Sequence, residues 1–203
     1  MSQTQYQKVR EFMQAFRQEC PTETALPSEK IREMRFRLID EEREEWDTAK
    51  TEVDKLDAVL DLSYVILGAA IDIGIPEDQL EPRSRPSDYG LADINFDLRH
   101  ATVIPFARSL INMMLKWVEE EAEYQGWSQW TMEAGFNEVH RSNMSKMWTK
   151  SQALTRLHLD GGIFIKPGYG QEGMVVVVNA SGKIIKPPSY SHANLGPILE
   201  GTK

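Results

Sequence analysis

Residues 52–73, EVDKLDAVLDLSYVILGAAIDI, constrain this chain more than any other stretch. Read as a helix, the segment carries Leu56, Val59, Leu60 and Leu62 over most of its circumference and becomes still more apolar toward Gly74 and Pro76, which stop it. A helix with so little polar face has to be enclosed by other elements. Yet Asp54, Asp57 and Asp61 stand at i, i+3 and i+7 within it, on one side, and Tyr64, Val65 and Gly68 continue their line. A fold has to bury this helix and still accommodate its acids.

The flanking sequence supplies the enclosure. Val9, Phe12, Met13 and Phe16 fall at helical spacing in residues 5–19, with Pro21 as the end. A second helix is expected over 29–50, with Ser28 as its cap, and it forms a hairpin with the helix that opens near Glu52. Residues 80–92 hold two prolines, Pro82 and Pro86, and read as a surface loop. A fourth helix is expected over about 96–124, with Ile104, Phe106, Leu110, Met113, Met114, Trp117 and Val118 inward, and a fifth after Gly126, over about 127–150. From 158 onward IFI, MVVVV and KII are short β-type runs between glycine-rich turns. The expected fold is therefore mainly α, a single helical bundle domain spanning 1–203 (helical 1–157) with a small β appendage over 158–203.

With 203 residues, one well-buried domain is the natural size. No apolar run reaches the roughly 18 residues of a membrane span, and MSQTQYQKVREF lacks the apolar core of a secretory signal. The single cysteine, Cys20, has no internal disulfide partner, so a cytoplasmic protein is expected. The net charge of −8 argues against a grip on nucleic acid or an anionic membrane. Ten acids against three bases lie between Asp40 and Asp61, so −7 of that −8 sits in one short segment.

This concentration has a geometric consequence. Ile31, Met34 and Leu38 share a stripe of the second helix, and the next positions on it are Glu41, Glu42 and Glu45. Antiparallel packing of the hairpin brings that stripe against Asp54, Asp57 and Asp61. Like charges four residues apart repel even in water, and partial burial enlarges the penalty. A solvated charge run accounts for Glu44, Asp47 and Glu52, but not for Asp57 and Asp61 inside a core helix. A hard divalent cation offsets such a cluster, and all-oxygen ligands suit Mg²⁺ or Mn²⁺. The four histidines offer no Glu-x-x-His, which excludes the di-iron type of helical carboxylate site.

These residues resemble the all-α nucleoside triphosphate pyrophosphohydrolases of the MazG type, a family that includes dimeric dUTPases and phosphoribosyl-ATP pyrophosphohydrolases. Glu41-Glu42-Arg43-Glu44-Glu45 matches the E-E-x-x-E half of the signature, and Asp54-Lys55-Leu56-Asp57 resembles the E-x-x-D half with aspartate first. Asp61-Leu62-Ser63-Tyr64 is similar to the D-L-L-Y that closes the motif in many members. YVILGAAIDIGI, FNEVHRSNMSK and GKIIKPP are similar to the phage and bacterial branch.

The resemblance implies hydrolysis of a nucleotide between its α and β phosphates, to a monophosphate and pyrophosphate. It implies Mg²⁺ or Mn²⁺ at Glu42, Glu45, Asp57 and Asp61, with the fourth ligand open between Asp54 and Asp57. It implies Glu41 or Glu42 as the carboxylate that orients or deprotonates water. It also implies a homodimer or homotetramer. On a continuous helix Asn143, Lys146 and Lys150 share one side at i, i+3 and i+7, so they are expected to donate to phosphate or sugar. The substrate expected is a deoxynucleoside triphosphate. The rivals are phosphoribosyl-ATP as substrate, and a non-catalytic helical module that offers its acidic surface to a basic partner.

Overall fold

A computed structural model describes residues 3–157, 164–167, 173–179 and 183–201. Six helices make the body: α1 (Gln5–Ala15), α2 (Glu29–Thr48), α3 (Glu52–Ile73), α4 (Leu91–His100), α5 (Ile104–Gln125) and α6 (Gln129–Met144). Helix α3 is the axis of the fold, packed against α1, α2, α5 and α6. Fifteen of its 22 residues are buried, as its composition requires. Each large aliphatic side chain so enclosed contributes roughly 1.5–3 kcal/mol. The mainly α fold with a small β appendage is as expected, and no helix among the described residues is long and apolar enough to cross a membrane.

The hairpin that matters for function is closed tightly. Helix α2 ends at Thr48 and α3 starts at Glu52. Thr51 caps α3: its hydroxyl accepts from Asp54 N at 3.1 Å while Asp54 Oδ2 accepts from Thr51 N at 3.1 Å, a reciprocal capping box. At the far end Gly74 takes the left-handed conformation, φ 71°, where a Cβ would stand 2.5 Å from the Glu23 carbonyl oxygen.

Two expectations about the helices are corrected. The buried line of α2 is Arg35 and Ile39, not Ile31, Met34 and Leu38, which are half-buried. Arg35 goes inside because Asp72 of α3 meets its Nε at 2.5 Å, and Gly68 leaves room for the guanidinium. The expected fourth helix is two helices. The chain leaves helical geometry at Ala101, and Pro105 opens α5 within its first turn, where a missing N–H leaves no bond unmade.

The fifth helix also stops early, at Met144. Trp148–Thr149 forms β1, which pairs antiparallel with β3 (Met174–Val178), and Lys150–Leu157 forms α7. Pairing with a strand some 25 residues away overrides the local helical pattern. Strand β2 (Phe164–Pro167) flanks β3 on the other side, giving the order β1-β3-β2, and Ile184 bridges to Val178. The chain then returns to the bundle, and α8 (Gly196–Glu200) buries Leu199 there, beside Leu195.

Candidate active site

The packing of α2 on α3 sets Glu42, Glu45, Asp57 and Asp61 into one electrostatic group. Glu42 lies on the α2 line that faces α3, one turn after Ile39, and its Oε2 is buried without a hydrogen-bond partner among the described residues. Burial, then the charges of Asp61 and Glu45, push its carboxyl up to about 8. Asp61 rises to about 7, first through burial and then through Asp57, with Lys146 pulling the other way. Asp57 is raised by burial, Glu45 and Asp54. Each of these carboxylates is held by the fold where its charge is disfavoured.

The bases of the acidic segment do not relieve it. Arg43 is taken up by Asp40 at 3.1 Å and Asp47 at 2.6 Å, and Lys55 lies over the Trp46 ring. One cation that enters is Lys146, just past the end of α6. Burial lowers its ammonium, while Asp61 and Glu42 act to raise it. Its Nζ donates to Asn143 Oδ1 at 2.5 Å, so these two predicted donors stand together beside the acids.

The other predicted residues are distributed differently. Glu41 and Glu45 are exposed at the rim. Lys150 is not on the α6 line with Asn143 and Lys146: the helix has ended, and Lys150 begins α7 as an exposed residue whose backbone N–H bonds Gly173. Asp54 turns to its capping role at Thr51, which leaves Asp57 as the more available carboxylate of the pair. Replacing Asp54 by alanine is therefore expected to cost about 1 kcal/mol of stability and to leave hydrolysis within about threefold of wild type; urea unfolding and a pyrophosphate-release assay check the two halves.

Sequence reasoning missed one contributor. The chain between β3 and α8 brings Lys183, Lys186 and His192 toward the same basin: Lys186 and His192 act on Asp57, Lys186 on Asp61, and both lysines on Lys146. The signal is visible only as two lysines in GKIIKPP, without anything local to say where they go. His140, by contrast, is a packing residue, bonded to the Tyr64 hydroxyl at 3.1 Å through Nδ1 and facing Glu11 at 3.6 Å. Trp117, Trp127 and Trp148 are core residues, as are Phe12 and Phe16.

The donor set suits a hard divalent cation: four carboxylates, one with a buried oxygen that is orphaned among the described residues. Among the described residues, however, no three acidic, histidine or cysteine side chains already converge on one point as metal ligands. The fit rests on donor chemistry and on the orphaned oxygen, not on a preformed cage.

Residues 9–83 match the family model described as phosphoribosyl-ATP pyrophosphohydrolase, within the MazG-like all-α pyrophosphohydrolase superfamily. That segment runs from α1 through α3 and contains Glu41, Glu42, Glu45, Asp57 and Asp61. The match indicates a pyrophosphohydrolase. No curated protein and no solved structure matches the chain.

Proposed function

We propose, from the pyrophosphohydrolase match of residues 9–83 as premise, that the chain hydrolyses deoxynucleoside triphosphates between the α and β phosphates, releasing a monophosphate and pyrophosphate. The observation that carries this reading is the Glu42 carboxylate. Its buried oxygen has no partner among the described residues, and the charges of Asp61 and Lys146 both act on it. A group so placed is disfavoured unless a ligand completes it.

Mg²⁺ or Mn²⁺ held by Glu42, Glu45, Asp57 and Asp61 would supply neutralising charge to the polyphosphate. The chain's own residues do the rest. Lys146 and Asn143 donate to phosphate oxygens from the opposite wall. Water adds to phosphorus as the bond to the bridging oxygen breaks, and a carboxylate takes the proton the water loses. Glu41 or Glu42 fills that role: Glu41 is exposed at the rim and free to orient water, while Glu42 serves only when ionised. The reading also includes a homodimer or homotetramer, supported by the half-buried apolar stripe Ile31, Met34 and Leu38 on the helix that bears the acids.

The family description favours a second substrate, phosphoribosyl-ATP. The two are separated by incubating the protein with Mg²⁺ or Mn²⁺ and each of the four deoxynucleoside triphosphates, beside phosphoribosyl-ATP, and measuring pyrophosphate. Release from one or more deoxynucleotides is expected. Release from phosphoribosyl-ATP alone would move the chain to that substrate, and none from any would leave the non-catalytic module.

A further inference from the structure

The segment that follows β3 is fastened to α6 at four points. Tyr190 OH meets Ser142 Oγ at 3.0 Å, Ser191 N donates to Ser145 Oγ at 3.0 Å, Arg141 Nη2 donates to the His192 carbonyl at 2.8 Å, and Asn194 N donates to Glu138 Oε1 at 2.8 Å. Upstream, Ile185 N donates to the Val177 carbonyl at 2.9 Å, and the Trp148 indole donates to the Ile185 carbonyl at 2.7 Å. Pro187 is buried between these two sets of bonds.

Lys186 is thus fixed at its backbone on both sides, and its ammonium lies over the Tyr190 ring at 4.4 Å. Lys183 is set by a second pair of bonds: its N–H donates to Asn179 Oδ1 at 2.9 Å, and its carbonyl accepts from Asn179 N at 3.0 Å. Both side chains are exposed; Lys186 is carried to α6 by Tyr190, whose hydroxyl meets Ser142 about one turn before Lys146, and the charges of both lysines are felt at Lys146. Three like charges brought together by backbone anchoring, beside acids that none of them pairs directly among the described residues, repel one another. An anion placed among them removes that repulsion.

We propose that residues 183–192 are a strap that completes a polyphosphate subsite, in which Lys183 and Lys186, with Lys146, hold non-bridging phosphate oxygens of the substrate. This rests on the hydrolase reading for the identity of the substrate, but the clamp is testable without turnover. Calorimetric titration of the full chain with inorganic tripolyphosphate and Mg²⁺ compares wild type, the double variant Lys183→Gln/Lys186→Gln and, as a charge control, Lys30→Gln at the remote start of α2. Loss of a charge-assisted bond weakens binding by about tenfold, so the double variant is expected to bind about 30- to 100-fold more weakly, with a shallower salt dependence. The control is expected within about twofold of wild type.

Double-variant binding within about threefold of wild type, or no binding by wild type at all, would overturn the strap. If the glutamine pair lowers the melting temperature, Lys183→Arg/Lys186→Arg replaces it; retained binding there supports the clamp, and loss as large as in the glutamine pair overturns it. Pyrophosphate release by wild type is scored separately. Turnover with lysine-independent tripolyphosphate binding removes the strap and keeps the hydrolase, whereas lysine-dependent binding without turnover keeps the strap and removes the hydrolase.

Discussion

Replacing Asp61 by asparagine is expected to reduce pyrophosphate release by about 10³-fold, a loss on the scale of removing an essential acid–base or cation-binding group. Asparagine keeps the volume of the side chain and removes only its charge. The variant is expected to fold, and in cation-free buffer at pH 8 to unfold at higher denaturant than wild type, because Asp61 is pushed up to about 7 by burial and by Asp57. Loss of activity with gain of stability is a combination that a merely structural residue does not give. The gain in stability follows from the fold alone, so turnover is the deciding half: wild-type pyrophosphate release by this variant would remove the acidic basin from catalysis.

A second large effect is expected in the pH dependence of stability. Glu42 moves from 4.5 to about 8 and Asp61 from 3.8 to about 7. Both are acids whose folded value is raised, so between about pH 4 and pH 8 the native state binds protons that the unfolded chain has released, and unfolding free energy falls as pH rises. Each unit corresponds to about 1.4 kcal/mol. With a discount for solvent contact and for the coupling of the two groups, the decline amounts to roughly 3–5 kcal/mol between pH 5 and pH 8.5. Urea midpoints measured in EDTA are expected to follow it. Mg²⁺ or Mn²⁺ at a hundredfold excess over its dissociation constant is expected to restore about 2.7 kcal/mol, and to do so mainly at the alkaline end, where the carboxylates are ionised. Parallel curves with and without the cation would sink the proposal that these acids bind one.

The central helix and the acidic hairpin were legible because both signals are local. An apolar circumference over residues 56–73 admits no exposed position, and Asp57 and Asp61 are conspicuous against it. Less was legible wherever a distant partner decides. Arg35 is buried because of Asp72, 37 residues away, and hydropathy alone cannot anticipate an arginine among core residues. Lys150 leaves the line of Asn143 and Lys146 because Trp148 and Thr149 pair with Val175 and Met174. Lys183 and Lys186 act on the basin because residues of α6 and its cap, Ser142 and Ser145 among them, hold the segment beyond them. The break between α4 and α5 is a different case: Pro105 marks it in the sequence, and the strong periodicity on either side hides it.

The buried contact between Arg35 and Asp72 bears on the acids from a distance. It lies seven residues before Glu42 on α2 and eleven after Asp61 on α3, at the opposite end of the same antiparallel pair. Sliding one helix along the other by a single turn, about 5.4 Å, would strand two charges inside apolar surroundings. Aliphatic side chains alone tolerate such a slip; an ion pair seated over Gly68 does not. The pair acts as a key that admits one alignment of the hairpin, and in that alignment carboxylates that repel each other are kept level.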